Sequence, residues 1–209
     1  MKTIRAVLLL LGSSAALAAN GQAFVRDKGY VSVTAHPVYP FLGGYGGKVF
    51  YNLPQHWSVG LQAEGGFELP AFAERSFFTN SDAITVQWDY AVGTEVRYRF
   101  ASRDNDIRGF YALATAGYEG WTVRPTQEQQ PATPTDDSFT NWFASVGVGY
   151  NWFPFRKSGF FAGAAYNWIF LLNNTQDRTV GGQVYRLRSS VPPSLVPILH
   201  VGWRFGKSL

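Results

Sequence analysis

Between Ile84 and Phe100 the chain changes character at every residue. One phase reads Ile84, Val86, Trp88, Tyr90, Val92, Thr94, Val96, Tyr98, Phe100, and the other reads Thr85, Gln87, Asp89, Ala91, Gly93, Glu95, Arg97, Arg99. All the charges fall in the second phase. A period of two with this segregation predicts a strand that has an apolar environment on one face and a polar one on the other. The rhythm returns in Trp57 to Leu69, where Trp57, Val59, Leu61, Ala63 and Phe67 alternate with Ser58, Gly60, Gln62, Glu64 and Glu68. It returns again in Trp142 to Trp152, in Phe160 to Phe170, and in Pro197 to Phe205, where His200 and Arg204 hold the polar phase. Tyr30 to Tyr39 and Phe41 to Asn52 are weaker and richer in Gly, and Gly109 to Val123 alternates without a clear apolar phase.

These segments make eight strands, and the connections between them alternate in length. Leu53 to His56, Ala101 to Arg108 and Pro154 to Ser158 are short. Pro70 to Ala83, Arg124 to Phe139 and Asn173 to Ser194 are longer, polar loops, while the turn near His36 to Pro40 must be tight. An even number of antiparallel strands with short turns at one end and long loops at the other predicts an all-β fold. That fold is an eight-stranded antiparallel up-and-down transmembrane β-barrel, with both termini and the short turns on the periplasmic side and the long loops extracellular. A soluble eight-stranded barrel of the lipocalin kind alternates too, but it buries aliphatics and shows Lys and Glu outside. Here the polar phase is mostly Gly, Ala, Ser, Asn and Gln. The apolar phase carries Trp57, Trp88, Tyr98, Phe100, Trp142, Trp152, Trp168, Trp203 and Phe205, which are expected to form aromatic girdles at the two membrane interfaces.

Composition sharpens the picture. Of 209 residues 46% are hydrophobic and 17% aromatic, and only 15% are charged, against a usual quarter or so. Yet no apolar run after residue 19 is long enough for a membrane helix. Lipid leaves no partner for a free backbone amide, so dispersed apolar residues demand a closed barrel. At the N-terminus Lys2 and Arg5 precede the apolar Ala6 to Leu11 and the small residues Gly12 to Ala19, with Ala16-Leu17-Ala18 as a cleavage pattern. Residues 1–18 therefore read as a signal peptide and residues 19–209 as a single outer-membrane barrel domain. The chain has no Cys, which excludes disulfides, thiol chemistry and lipid attachment through Cys. A net charge of +4 is too mild to suggest a nucleic-acid partner.

The inward phase carries the candidate chemistry. Lys48, Glu64, Glu68, Asp89, Glu95, Arg97, Arg99 and Arg204 are expected inside, together with His36 and His200. An eight-stranded barrel is just wide enough for side chains to fill it, and unpaired buried charges are costly. The expectation is an ion-pair network that plugs the lumen; a gated narrow pore in which the pairs switch partners is the alternative. His36 shares a face with Ser32, but no acid is assigned nearby and no nucleophile motif surrounds either, so no catalytic residue is expected. His36 and His200 fall on strands that adjoin on closure, but without a third ligand they predict no metal site. Gly43 to Gly47 lacks the Lys-Ser or Lys-Thr pair and the helix of a phosphate loop. No cofactor is expected.

The Trp57-to-Leu69 and Ile84-to-Phe100 patterns and the ending Leu199-His200-Val201-Gly202-Trp203-Arg204-Phe205 resemble the small OmpA/OmpX-like outer-membrane β-barrel proteins. The resemblance spans nearly the whole mature chain, departs in the four residues after Phe205, and implies no periplasmic domain. It implies location in the bacterial outer membrane as a monomer, with outer-membrane lipid, lipopolysaccharide or its equivalent, and the outer-membrane assembly machinery as partners. The function it implies is a non-enzymatic envelope component acting through extracellular loops. A narrow channel for small solutes and a lipid-modifying outer-membrane enzyme are the alternatives, since a fold alone does not choose among activities.

Overall fold

The computed structural model describes residues 29–53, 56–100, 107–126, 136–155, 158–192 and 197–205. The segment read as a signal peptide and the residues after Phe205 lie outside the described residues. The strands are β1 (Tyr30–Ala35), β2 (Tyr45–Asn52), β3 (Trp57–Gly65), β4 (Phe67–Glu68), β5 (Phe78–Thr79), β6 (Ile84–Arg99), β7 (Gly109–Pro125), β8 (Asp137–Trp152), β9 (Phe160–Leu171), β10 (Asp177–Val180), β11 (Gln183–Leu187), β12 (Ser190–Val191) and β13 (Ile198–Phe205). Among the described residues one α-helix, α1 (Ala71–Phe77), follows β4.

All barrel pairings are antiparallel and run β1–β2–β3–β6–β7–β8–β9–β13, with β4 prolonging β3 along β6 and β12 preceding β13 along β9. β13 then pairs with β1, from Val31 opposite Phe205 to Ala35 opposite Val201, and closes an eight-stranded barrel. Closure matters because it leaves no barrel strand with an unpaired edge. No helix among the described residues is long and apolar enough to cross a membrane.

Two connections differ from their reading as plain loops. Residues 70–83 hold α1, the short β5 and a turn at Ser81–Ala83, and residues 173–194 hold the β10–β11 hairpin, whose β11 pairs with β5 in a separate three-stranded sheet. The first two strands are shorter than their sequence spans. β1 stops at Ala35 and β2 begins at Tyr45, with a 3₁₀ turn at Tyr39–Leu42 between them. Pro37 and Pro40 explain this, because neither can donate to a ladder.

The amphipathic sense of the barrel reverses near its long-loop end. In β3, Gly65 and Gly66 take φ of 132° and 80°, backbone that a side chain would strain. The alternation restarts after them, with Phe67 inside at 5% exposure and Glu68 outside. In β6 the register against β7 shifts between Trp88 and Tyr90, so Asp89 is an extra, bulged residue. Before the bulge Ile84 and Val86 point inward, at 2% and 0% exposure; after it Val92 points outward. In β7 and β8 the phase holds but the residue types exchange, with Trp121, Val123, Phe139 and Phe143 buried and Arg124 and Ser138 exposed. Above the reversal the inside is therefore an apolar core, completed by Phe78, Leu171, Val180, Tyr185 and Leu187 from β5, β9 and the hairpin. Below it, the outward side chains are apolar and the inward ones mostly polar, with Phe50, Tyr111, Leu113 and Phe161 packed among them.

Candidate functional site

Glu95 sits at the middle of the lumen with no exposed surface. Lys48 Nζ donates to its Oε2 at 2.6 Å and Arg97 Nε to its Oε1 at 2.5 Å. Strict alternation on β2 and β6 aims all three inward, and pairing brings β2 and β6 onto opposite sides of β3. The Arg97 guanidinium lies between two rings, 3.9 Å from the Phe50 centroid and 4.4 Å from that of Tyr111, each a cation–π contact. Those rings fit because Gly60 and Gly149 face them; a Cβ at either glycine would collide with the Phe50 or the Tyr111 ring. So the inward glycines that look featureless in sequence make room for the plug.

At the short-turn end the basic residues take other partners. Arg99 donates to the carbonyls of Leu53 at 2.5 Å and Trp57 at 3.0 Å and to the Tyr30 hydroxyl at 3.2 Å. The Arg204 guanidinium lies over Tyr30 and Phe153, at 5.7 and 5.4 Å. Asn52 Nδ2 donates to Ser32 Oγ at 2.9 Å, and Ser58 Oγ donates to Asn52 Oδ1 at 2.7 Å. His200 Nε2 lies 2.8 Å from Asn151 Oδ1. The expected network is thus two arrangements: a buried triad at Glu95, and arginines clamping turn carbonyls and rings below it.

Two expected members are not in the lumen. Glu68 is exposed because Gly65 and Gly66 reset the alternation. Asp89 is the bulged residue, partly buried, and accepts from Thr122 Oγ1 at 2.8 Å. Trp88 leaves the girdle for the same reason. It turns inward and stacks on Trp121, with centroids 5.8 Å apart and planes at 17°. Trp57, Tyr98, Phe100, Trp142, Trp152, Trp168 and Trp203 are exposed on the outer face, and Phe205 is half-buried. They fall in two belts, Trp57 packing on Tyr98 at the short-turn end and Trp142 on Tyr118 at the other.

Between the Glu95 triad and the apolar core lies a chamber of about 90 Å³. Its polar wall includes His36, Lys48, Gln62, Glu64, Thr115, Glu119 and Asn167, with Lys48 turned to Glu95, and its ceiling includes Phe77, Trp88, Trp121 and Phe143. His36 Nδ1 donates to the Leu199 carbonyl at 3.2 Å, and its Nε2 lies 3.7 Å from Glu64 Oε2. An acid therefore does stand near His36, contrary to the sequence reading, because β3 carries Glu64 to the same level. Ser32 is engaged by Asn52 instead, so no Ser–His–acid relay forms. His36 and His200 have separate partners, and no group of three or more His, Cys, Asp or Glu among the described residues is placed to hold a metal ion. Glu119, fully inside β7 at 3% exposure, went unnoticed in the sequence. It accepts from Asn141 Nδ2 at 3.4 Å, and the indole N–H groups of Trp88 and Trp121 lie beside it without reaching hydrogen-bond geometry.

Above the barrel the hairpin is tied down by charge. Asp137 accepts from Arg178 Nε at 2.8 Å, from Arg178 Nη2 at 2.6 Å and from the Tyr185 hydroxyl at 2.5 Å. The Arg178 hydrogen bonds hold the Asp137 carboxyl below its ordinary range, and burial with the Asp137 hydrogen bond pushes the Tyr185 hydroxyl above its own. Glu74 of α1 accepts from the Val86 N–H at 2.8 Å, and burial raises its pKa.

No family model matches the chain, and no curated protein matches it. Solved structures do. The N-terminal β-barrel domain of Pseudomonas aeruginosa OprF is similar at 15% identity and a TM-score of 0.41, over 86% of this chain and all of that one. Yersinia pestis Ail, in complex with the heparin analogue sucrose octasulfate, is similar at 14% identity and a TM-score of 0.43, again over 86% of this chain and all of that one. Neisserial surface protein A is similar at 13% identity and a TM-score of 0.33, over 85% of this chain and 97% of that one. The likeness is one of fold, to small outer-membrane barrels.

Proposed function

We propose that this protein is an integral outer-membrane barrel whose lumen is plugged and which works through its long-loop end as a non-enzymatic envelope component. One observation carries the membrane reading. Between the aromatic belts, the outward positions of all eight barrel strands include no Asp, Glu, Lys or Arg. Val31, Val49, Leu61, Val146, Val148 and Leu199 stand there between 38% and 66% exposed. Soluble monomers rarely expose a contiguous apolar patch beyond a few hundred Å², whereas lipid calls for such a band on every side. Lipid and lipopolysaccharide or its equivalent then cover it, the assembly machinery inserts it, and the termini lie in the periplasm. Expression with fractionation tests this. The folded, heat-modifiable band should sit in the outer-membrane fraction and survive alkaline washing. Recovery of folded protein in the soluble periplasm refutes the reading.

A narrow pore is the second reading, favoured by the chamber above Glu95 and by the triad that lies across the lumen beneath it. Planar-bilayer recording of the parent and of Arg97→Ala separates the two. A silent parent with a silent, less stable variant supports the plug; stepwise conductance that grows in the variant supports the pore. The lipid-modifying enzyme reading gains nothing from His36 and Glu64, which are enclosed in the lumen, out of reach of a lipid headgroup. Mass spectrometry of lipid A with and without the protein should show no change.

A further inference from the structure

The chamber has a property that the plug does not require. Lys48 and Arg97 both spend their charge on Glu95. Glu64 has only the His36 ring within ion-pair distance, and Glu119 has no Lys or Arg partner among the described residues. With the histidines neutral and Glu64, Glu95 and Glu119 all ionised, Lys48 and Arg97 leave this level of the lumen one negative charge in excess. A carboxylate enclosed without a counter-charge is costly, so it either takes up a proton or, where the pH holds it ionised, gains from a cation beside it.

Most of the unfilled hydrogen-bonding capacity there is acceptor; the unpartnered donors are the indole N–H groups of Trp88 and Trp121, beside Glu119. Gln62 Oε1, Asn167 Oδ1, Thr115 Oγ1 and His36 Nε2 line the chamber and have no hydrogen-bond partner. Gln62, Thr115 and His36 are at most 6% exposed, so solvent at the surface does not serve them. The His36 Nδ1 contact is to a carbonyl, which only accepts. The ring proton therefore sits on Nδ1, and in the neutral ring Nε2 offers a lone pair. Gln62 Oε1, Asn167 Oδ1 and His36 Nε2 are acceptors, beside two carboxylates. A volume of about 90 Å³ admits a small guest with a little water and excludes a large one.

We propose that the chamber is a binding site for one small monovalent cation, either an alkali-metal ion or a primary ammonium, held by Glu64, Glu119 and the acceptors of Gln62, Asn167 and His36. A single excess charge matches a monovalent guest. Carbonyl-type and carboxylate oxygens are the ligands that hard cations take, and the three N–H donors of a primary ammonium would use the same lone pairs. A tightly held divalent transition metal does not fit, since among the described residues no cluster of three His, Cys, Asp or Glu is placed for one. The site does not depend on the barrel being in lipid.

The test uses the folded full-length barrel in zwitterionic micelles at pH 8, where His36 is neutral. Sodium, potassium or methylammonium chloride replaces tetramethylammonium chloride at constant ionic strength; the last is bulky and has no N–H. A guest that binds only the folded form raises the unfolding midpoint in a saturable way. The midpoint should rise and level off with at least one of the three salts, and the comparison of alkali ions with methylammonium separates the two guest types. Glu119→Gln should weaken that response at least tenfold in concentration, and Glu68→Gln, at an exposed acid, should leave it unchanged. Where Glu119→Gln fails to fold, Gln62→Leu takes its place with the same expectation. Midpoints that are identical in all four salts, or a response that survives Glu119→Gln or Gln62→Leu in full, overturn the proposal.

Discussion

Val146 tests the membrane reading at a single residue. It is 51% exposed on the outer face of β8, opposite Ala114 and Trp168. On its own strand Trp142 stands toward the long-loop belt and Trp152 toward the other. At about 3.3 Å per residue and a tilt of about 45°, those tryptophans are roughly 23 Å apart in depth. That agrees with an apolar band about 25 Å tall. Val146 then lies roughly 9 Å below one belt and roughly 14 Å above the other, close to mid-membrane by the same arithmetic. Arg at that depth costs about 2–4 kcal/mol, or roughly 30- to 900-fold in the folding constant at 1.36 kcal/mol per factor of ten. Ser138 is on the same strand, exposed and above the reversal, so Ser138→Arg meets water and should change stability by less than about 0.5 kcal/mol. Urea unfolding of the parent and both variants in phospholipid bilayers, followed by tryptophan fluorescence, gives the comparison. Equal, small costs for Val146→Arg and Ser138→Arg would refute the reasoning, because they are what a soluble barrel gives.

Replacing Glu95 with Gln strands Lys48 and Arg97 together, and it should cost about 3–5 kcal/mol in the same assay; Lys48→Met added to it should recover part of that loss, and no recovery would mean the triad is not a unit. The Asp137 clamp has a defined pH window. A lowered folded-state pKa means its stabilisation is present above the unfolded value of about 3.9 and is lost as pH falls through the lower folded value, while the raised pKa of Tyr185 keeps its contribution below about 10 and loses it above. Amide protection factors at Thr179 and Val184, with the intrinsic rate divided out at each pH, should therefore be high and flat between those limits and fall in acid, with Arg178→Ala low throughout; a clamp indifferent to acid contradicts the assignment. Deletion of residues 206–209 should leave a folded, heat-modifiable barrel, whereas deletion from Trp203 onward removes ladder partners of both β1 and β9 and should abolish it on gels.

The closed barrel was legible because alternation is a direct record of which faces meet unlike surroundings. What the alternation does not say is which side is the apolar one. In β6 the even positions from Ile84 to Tyr98 are apolar or aromatic except Thr94, so the pattern passes unchanged through the bulge at Asp89. In space the same phase runs inside before the bulge and outside after it. Trp88, Asp89, Phe67 and Glu68 were all placed by extending a phase past a point where the backbone resets it. Gly65-Gly66 was the visible signal of one reset; Asp89 amid aromatics was a fainter signal of the other. Glu119 escaped for a different reason. β7 sets Tyr111, Leu113 and Trp121 against Phe110, Ala114 and Tyr118, apolar in both phases, because its lower inner face packs rings around Arg97 and its upper inner face is core. As the only charged residue from Gly109 to Val123, Glu119 could have marked the inner phase on its own. Ser32, Asn52 and Ser58 met through closure and pairing, which no local pattern encodes.

The reversal also bears on how the molecule is made. A barrel inserted from its short-turn side must pass its long-loop end through the bilayer first. That end carries Phe78, Ile84, Val86, Trp121, Val123, Phe139, Tyr185 and Leu187, together with the Asp137–Arg178 pair. Unfolded, this segment is both sticky enough to linger in lipid and charged enough to resist it. Its core draws on residues far apart in sequence, Phe67, Phe78 and Ile84 with Leu171, Tyr185 and Leu187, so it can consolidate only after the connections that carry them have crossed. The outer-membrane reading then predicts that translocation, rather than strand pairing within the hydrocarbon, limits the rate of assembly. Once assembled, the outer core acts as a rivet head, wider in chemistry than the hole it came through, and retraction of the barrel would require that core to unfold first.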